Sequence, residues 1–335
     1  MTAVLLSCAI VIAWGSWIPL AQLIPGAPQS TRTLYVTAGN LLFAAVALVI
    51  GGSAGQLTLG WKEFWMPLAG GVVWAVGSGC AFRATETIGL ARAAGTWTPL
   101  NIIVAFVFGA LLFHELRGFD AARFTVLGGC LVLVLAGVFL IVGSQNAATE
   151  QGTATADPPE PQAALAVAPG PISVSGTALA VAAPAAVPAT RPSTQRRGLL
   201  SAVGAGLLWG GYFVPAQWAA VPSQLGNFPL AVGMLLGAAV LALRDGGLVR
   251  LAPRQAALQL TSGVLLGIGM VTLLLLVNRI GTGAGFTIGQ LSLLVNAGIG
   301  IWVFKVPAPG TRAARTAFAG ILLAGIGGTV IGALR

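Results

Sequence analysis

Residues 122–143 read ARFTVLGGCLVLVLAGVFLIVG, and Arg123 is the one charged side chain in this run. A helix needs about 20 predominantly apolar residues to cross the hydrocarbon core of a bilayer. Including this run, ten runs of comparable length and composition occur, near 3–24, 33–52, 66–88, 93–113, 122–143, 198–219, 227–243, 256–277, 283–304 and 315–334. We therefore predict an all-α integral membrane protein with ten transmembrane helices.

The composition predicts the same class of protein. Of the 335 residues, 56% are hydrophobic and 7% are charged, whereas a soluble domain has about 25% charged residues. The net charge of +9 comes from basic residues scattered singly between apolar runs, so we expect no nucleic-acid partner. Eight acidic residues and one histidine exclude most metal-dependent and acid–base enzymes. The three cysteines lie in apolar runs, so we expect no disulfide framework, no metal site and no cofactor.

The distribution of lysine and arginine predicts the orientation of the chain. If all ten runs cross the membrane, twelve of the 17 basic residues fall on one side and five on the other. Loops with an excess of basic residues face the cytoplasm. We therefore predict a multi-pass protein of the cell membrane with both termini outside.

Residues 144–197 differ in composition from the rest of the chain. They are rich in Ala, Pro, Thr and Val, with prolines at 158, 159, 161, 169, 171, 184, 188 and 192. Prolines at this density disfavour a helix and favour an extended, mobile chain. We predict a disordered cytoplasmic linker that joins a first five-helix unit, residues 1–143, to a second, residues 198–335.

The two units resemble each other. Residues 14–22 (WGSWIPLAQ) match residues 209–217 (WGGYFVPAQ) at an offset of 195, with the proline displaced by one position. Gly71 and Gly77 match Gly263 and Gly269 at an offset of 192. Because each copy has an odd number of spans, the second copy enters the membrane in the opposite direction. We therefore predict two inverted five-helix repeats, an architecture typical of secondary transporters.

Each copy of the duplicated first helix carries a proline, Pro19 and Pro215. A proline inside a helix removes one backbone hydrogen bond and bends the chain. The sequence leaves two interpretations open, a static kink and the hinge of a gate.

Several of these segments resemble a known family. Residues 210–216 (GGYFVPA) and 279–291 (RIGTGAGFTIGQL) are similar to the glucose/ribose porter family of the drug/metabolite transporter superfamily. Residues 39–43 (GNLLF) and 113–115 (FHE) are similar to its pattern as well. The resemblance covers both halves without the linker. It implies a ten-helix permease that takes up a sugar by alternating access, commonly coupled to protons.

A pocket for such a neutral polyol needs amide and hydroxyl groups, together with flat apolar faces for the C–H side of the ring. Side chains of these kinds inside the predicted spans are the candidates, namely Trp14, Trp17, Gln22, Asn40, Trp74, Trp97, Asn101, Trp209, Tyr212, Gln217, Gln290 and Asn296. The alternative for each tryptophan is an interface anchor or a packing residue. The alternative for each amide is a hydrogen bond to a partner helix.

Glu86 is the candidate proton-coupling residue. It lies three residues after Arg83 in the third run, so an ion pair between the two side chains is the alternative. His114 lies beside Glu115 at the outer end of the fourth run, and we interpret this lone histidine as a surface or capping residue rather than a proton relay.

Other functions remain open. A metabolite or drug exporter of the same superfamily and a ureide-type permease are the alternatives within transport. An intramembrane enzyme is least favoured, because it needs clustered Asp, Glu or His side chains near one interface. The expected partners are a small neutral sugar, a coupling proton and membrane lipids. A homodimer also stays open, because nothing in the sequence marks a dimer face.

Overall fold

The computed structural model describes residues 2–23, 28–88, 90–154, 192–246, 249–303 and 308–334. Within these ranges the chain forms twelve α-helices and no strand. A 3₁₀ turn (Ala54–Gln56) and a π turn (Trp61–Trp65) precede the third helix. The helices are α1 (Thr2–Gln22), α2 (Gln29–Ile50), α3 (Met66–Ile88), α4 (Leu90–Leu111), α5 (Ala121–Ala154), α6 (Pro192–Gly211), α7 (Val214–Trp218), α8 (Ser223–Arg244), α9 (Pro253–Ile280), α10 (Thr282–Gln290), α11 (Ser292–Trp302) and α12 (Arg312–Ala333).

Seven helical segments in the described part of the chain are long and apolar enough to cross a membrane. They are Ala3–Ala21, Gln29–Ile50, Trp61–Ala84, Ala121–Ser144, Gln195–Trp218, Leu225–Arg244 and Pro253–Ile280. The protein is therefore an integral membrane protein of all-helical class, as predicted. The segments Thr96–Leu111 and Thr282–Val295 are apolar but shorter, so the count of ten spans stays a prediction.

Two predicted spans are interrupted in the structure. Residues 283–304 do not form one helix, because α10 ends at Gln290 and α11 begins at Ser292. The run 198–219 is divided between α6 and α7 around Phe213. Pro215 lies in the first turn of α7, where its missing N–H breaks no intrahelical bond. Pro19, in contrast, lies inside the continuous helix α1.

The helices also extend beyond the predicted boundaries. α5 continues to Ala154 and α6 begins at Pro192, so both ends of the predicted linker 144–197 are helical. Proline is tolerated at the first position of a helix, which explains the start of α6. Residues 155–191 lie outside the described residues. A single residue, Gly281, separates α9 from α10, and its φ of 87° and ψ of 166° belong to a region that is essentially restricted to glycine.

Glycines allow the closest helix crossings. α2 packs against α9, and α8 packs against α3. A Cβ atom at Gly39 of α2 would overlap the carbonyl oxygen of Leu260 in α9. A Cβ atom at Gly233 of α8 would overlap the carbonyl oxygen of Leu68 in α3. Gly39 and Gly233 are 194 residues apart, and Leu68 and Leu260 are 192 apart, so the same approach occurs twice with the halves exchanged.

The partner helices contribute glycines to the same crossings. A Cβ atom at Gly263 would overlap the Val36 carbonyl oxygen, and one at Gly71 would overlap the Leu230 carbonyl oxygen. Gly71 and Gly263 are the pair that the sequence matched at an offset of 192. Their contacts are therefore equivalent in space as well as in sequence.

The last helices of the two halves, α5 and α12, pack against each other. A Cβ atom at Gly137 would lie 2.5 Å from the Gly320 carbonyl oxygen, and one at Gly320 would lie 2.6 Å from the Gly137 carbonyl oxygen. A Cβ atom at Gly327 would lie 2.7 Å from the Cys130 carbonyl oxygen. Cys130 precedes Gly137 in α5, whereas Gly327 follows Gly320 in α12. The two helices therefore run antiparallel.

Gly71→Ala is expected to destabilise the protein, because the added methyl group would collide with the backbone of α8. Overpacking of this kind costs about 1–3 kcal/mol. The measurement is the midpoint of thermal unfolding of the purified protein in detergent. Gly128→Ala is the matched control, because no atom lies within 4 Å of a Cβ atom there. Equal midpoints for the two variants would contradict the close packing of α3 and α8.

Candidate functional site

Three predicted tryptophans form one cluster, which we call the tryptophan cluster: Trp74 of α3, Trp97 of α4 and Trp209 of α6. The rings of Trp74 and Trp209 stack with centroids 6.1 Å apart and planes inclined by 28°. The Trp97 ring meets the Trp209 ring edge to face, with centroids 5.4 Å apart. The Trp209 Nε1–H donates to the Trp74 carbonyl oxygen at 3.1 Å. The cluster therefore joins both halves of the chain.

Gly77 makes room for the tryptophan cluster. It lies about one turn after Trp74 in α3, and a Cβ atom there would lie 2.7 Å from Cδ1 of Trp209. The absence of a side chain lets the indole ring rest on the backbone of α3. This position explains why the Trp209 N–H reaches a main-chain carbonyl group.

Trp14 of α1 occupies the matching position in the other half. A Cβ atom at Gly269 of α9 would overlap the Trp14 ring. Gly77 and Gly269 are a sequence-matched pair, as are Trp209 and Trp14. The hydrogen bonding differs, however, because the buried Nε1 of Trp14 has no hydrogen-bond partner.

The residues that correspond to two ring neighbours of Trp209 are smaller in the other half of the chain. At the offset of 192, Trp74 corresponds to Leu266 and Trp97 corresponds to Gly289. A Cβ atom at Gly289 would lie 3.1 Å from Cζ3 of Trp14. The two halves therefore surround equivalent indole rings with side chains of different size.

A second aromatic cluster links Trp14 to Tyr212. Trp14 meets Phe286 edge to face with ring centroids 6.4 Å apart. Phe286 stacks on Phe213 at 5.1 Å, and Phe213 meets Tyr212 edge to face at 5.4 Å. The Tyr212 hydroxyl group donates to the Met270 sulfur at 3.1 Å. Of the predicted residues, the structure thus brings Trp14 and Tyr212 into one cluster.

Asn40 lies where α2 meets α8 and α9. Its side chain is fully buried, and its Nδ2 donates to the Met234 sulfur at 3.3 Å. Its Oδ1 has no hydrogen-bond partner, and a Cβ atom at Gly267 of α9 would lie 2.8 Å from it. A buried polar atom left unpaired costs about 1–3 kcal/mol. Asn40 therefore presents an unused acceptor in the interior.

Asn101 forms one hydrogen bond to another helix and one within its own helix, α4. With its amide nitrogen turned toward two carbonyl groups, it donates to Gly206 of α6 at 2.7 Å and to Trp97 at 3.2 Å. The side chain is buried. The bond to Gly206 matches the helix-partner alternative for this amide.

Gln217 and Gln290 lie at helix breaks. The Gln217 Nε2 donates to the Thr282 hydroxyl oxygen at the start of α10, and its buried Oε1 has no partner. Gln290 is the last residue of α10 and is half-buried, next to the break at Leu291.

Trp17 is half-buried, and its carbonyl oxygen accepts a hydrogen bond from the Ser262 hydroxyl group at 2.7 Å.

Three predicted side chains, those of Gln22, Glu86 and Asn296, lie outside the described side chains. The pairing of Gln22 with Gln217 and the coupling role of Glu86 stay predictions.

The described candidates do not form one contiguous group. A small cavity between α4, α5, α10 and α12 is lined by none of them, and its lining residues include Phe106, Glu115, Leu116, Phe119, Ala284 and Leu334.

Glu115 is a polar contact between the halves that the sequence did not predict. Its carboxylate accepts hydrogen bonds from the backbone N–H of Thr282 and, at 3.2 Å, from that of Gly283. The signal for this contact lies in residues 279–291, because a glycine just before a helix exposes the unpaired N–H groups of the first turn. A nearby carboxylate satisfies such groups.

Trp209→Phe is expected to cost more stability than Trp14→Phe. Both changes remove an indole N–H and some apolar area, but only the Trp209 N–H has a hydrogen-bond partner. The difference should be about 1 kcal/mol, the net value of one hydrogen bond. Thermal unfolding of the two variants in the same detergent measures it. A larger loss for Trp14→Phe would contradict the assigned hydrogen bonding.

The fold defines a helical membrane protein whose interior holds aromatic and amide side chains from both halves of the chain. The model of the family described as "Sugar transport protein" matches residues 5–168 and 172–334. The chain belongs to this family.

Relatives agree with this assignment, and a solved structure shares the fold. A "Putative sugar uptake protein" of Lactiplantibacillus plantarum is 24% identical over 293 residues, which cover 88% of this chain and 86% of the relative. A protein with the same description from Listeria innocua is 22% identical over 325 residues, which cover 97% of this chain and 96% of the relative. A crystal structure with 18% identity covers 99% of this chain and 98% of its own, with a TM-score of 0.63. The similarity of fold therefore extends over nearly the whole chain.

Proposed function

We propose that this protein is a secondary transporter that takes up a sugar by alternating access. The observation that carries the proposal is the match of the sugar transport family to both halves, residues 5–168 and 172–334. The names of the relatives, which refer to sugar uptake, support the same substrate class and direction. The finer assignment to the glucose/ribose porters of the drug/metabolite transporter superfamily is part of this proposal.

The proposed architecture is two inverted five-helix repeats, residues 1–143 and 198–335, joined by a cytoplasmic linker. Reciprocal glycine contacts support it, because Gly71 meets α8 as Gly263 meets α2. The antiparallel contact of α5 with α12 supports the inversion, because these are the last helices of the two copies. Repeats related in this way supply the two matching gates that alternating access requires.

The proposed site lies between the halves, where amides and aromatic faces occur near helix breaks. A sugar presents hydroxyl groups, which donate to acceptors such as the unpaired Oδ1 of Asn40 and the unpaired Oε1 of Gln217. Its C–H face suits the indole ring of Trp14, beside which Gly269 and Gly289 carry no side chain. The break between α10 and α11 frees backbone groups beside Gln290, as at the discontinuous helices of other transporters.

The proposal includes a coupling ion, a location and an orientation. We take the ion to be a proton and Glu86 to be the residue that binds it. The protein would lie in the cell membrane among lipids with both termini outside, and a homodimer stays open.

The test of function is uptake of radiolabelled glucose, ribose and rhamnose into proteoliposomes, with and without an inward proton gradient. We expect accumulation of one sugar, stimulated by the gradient. Glu86→Gln should then remove the stimulation. Absence of uptake for every sugar would reject the substrate class. It would favour the exporter or the ureide-type permease, which assays with drugs, ureides and other metabolites would then test.

Gln290→Ala is expected to abolish sugar uptake without changing the amount of protein in the membrane, because the lost amide faces the proposed site. The control is Gln56→Ala, because Gln56 lies exposed in the 3₁₀ turn far from the helix breaks in sequence. Initial uptake rates, normalised to the reconstituted protein, measure both. Normal uptake by Gln290→Ala would remove this residue from the site.

A further inference from the structure

We propose that Glu115 is the external latch of the transporter, a positioning residue whose ionised carboxylate holds the outer ends of the two halves together. Loss of its charge, by substitution or by acid outside the cell, would open that end. The role of the latch in transport rests on the proposed function. Its position on the outer side of the membrane rests on the predicted orientation.

The latch is a contact between the repeats. Glu115 lies in the turn between α4 and α5, in the first half, and it binds the start of α10, in the second half. Its two carboxylate oxygens accept hydrogen bonds from the backbone N–H groups of Thr282 and Gly283. These N–H groups have no partner within α10, because the first turn of a helix lacks acceptors for them. The positive end of the helix dipole adds to the attraction for an anion.

Glycines shape the space that the carboxylate occupies. A Cβ atom at Gly109 of α4 would lie 2.6 Å from Oε2 of Glu115. A Cβ atom at Gly283 would lie 2.6 Å from Cδ1 of Phe106, also in α4. Both contacts require glycine, so α4 and α10 can approach closely enough for the carboxylate to bridge them.

Further hydrogen bonds strengthen the same end of the molecule. The Thr282 hydroxyl group, next to the latch, accepts a hydrogen bond from Nε2 of Gln217 in α7. Nearby in the chain, Nδ2 of Asn278 donates to the Ser223 hydroxyl group at 2.9 Å and joins α9 to α8. Glu115 is the ionisable member of this group of contacts that spans the two halves.

Charge is the property that the latch depends on. An ionised carboxylate accepts hydrogen bonds at both oxygens, whereas a protonated one carries a hydroxyl donor and loses the attraction for the helix end. Side chains beside it in the cavity are apolar, including Phe106, Leu116 and Phe119, and apolar surroundings strengthen a hydrogen bond to a charged group.

The other charged groups around Glu115 lie on three elements. His114 and Arg117 belong to the same turn, and Arg279 lies in the last turn of α9, three residues before Thr282. Asp120 caps the start of α5, where its Oδ1 accepts the backbone N–H of Arg123 at 2.8 Å. Because His114 and Asp120 are ionisable as well, an effect of pH alone does not assign the latch to Glu115. The test therefore needs variants of Glu115 itself.

The two halves differ at this position, which gives the latch a direction. The residue 192 positions after Glu115 is Pro307, in the segment Phe304-Lys305-Val306-Pro307. That segment contains no carboxylate. In the predicted orientation it belongs to the cytoplasmic end of the second repeat, so we expect acid outside the cell to act on Glu115 and not on this segment.

The experiment measures access to a buried residue near the latch and needs no sugar. The labelled position is Ala284, which is buried and lines the cavity beside Glu115. Cys8, Cys80 and Cys130 are first replaced by alanine, and Ala284 is then changed to cysteine. Intact cells are treated with a membrane-impermeant thiol reagent. We expect slow labelling at neutral pH and faster labelling in acid. Glu115→Gln should label about tenfold faster at neutral pH, as loss of a hydrogen bond to a charged group implies, with little further effect of acid.

Two further variants separate the effect of Glu115 from other effects on labelling. Gly109→Ala should also speed labelling, because the added methyl group displaces the carboxylate without removing its charge. Asp120→Asn, which neutralises a neighbouring carboxylate outside the latch, should label as slowly as the parent at neutral pH. Size-exclusion profiles of the purified variants identify any that unfold, and Gly109→Ala tests the latch independently of a change at Glu115 itself.

Several results would overturn the inference. Labelling of Glu115→Gln at the parental rate would show that the carboxylate does not hold this end closed. A labelling rate of the parent that stays the same in acid would also contradict the latch. Labelling from the cytoplasmic side only, in inside-out vesicles, would reject an external position. If the labelling results agree with the latch but no sugar is taken up, the proposed substrate is rejected and the latch is not. Failure of the latch and failure of the proposed function are therefore distinguishable.

Discussion

The close approach of four helix backbones at glycines is the constraint on which the rest of the interior depends. Gly39 and Gly263 bring α2 onto α9, while Gly71 and Gly233 bring α3 onto α8. In a lipid-embedded protein, small residues at helix crossings favour association through close packing of the backbones. Two equivalent crossings, one from each half, hold the chain in an interleaved arrangement. The aromatic clusters and the buried amides occupy the spaces that these crossings define.

Within this arrangement, equivalent positions carry different chemistry. Trp209 donates to a carbonyl group and packs against two further indole rings, whereas Trp14 lacks a hydrogen-bond partner and packs against Phe286. The carboxylate of Glu115 likewise has Pro307 at its matching position. Differences of this kind make the two ends of a duplicated chain chemically distinct.

Part of the site was predictable from residue type and spacing. The offset of 192 to 195 residues identified Trp14 with Trp209 and Gly77 with Gly269, and the structure places these pairs in equivalent contacts. The break between α10 and α11 was not predicted, because residues 283–304 are apolar throughout most of their length and composition alone does not mark the interruption. Glu115 was missed because its partners are main-chain N–H groups 167 and 168 residues away, and every residue but proline has such a group.

The sequence by itself determined that the chain is an integral membrane protein, because the length of an apolar run and the scarcity of charge decide whether a helix can lie in lipid. It also determined the family, whose pattern extends over both halves. Only the tertiary structure decided which polar groups are already paired: Asn101 donates to a carbonyl group of α6, while Asn40 keeps a free acceptor. The reason is that hydrogen-bond satisfaction depends on which helices cross, and that is set by packing between segments distant in the chain.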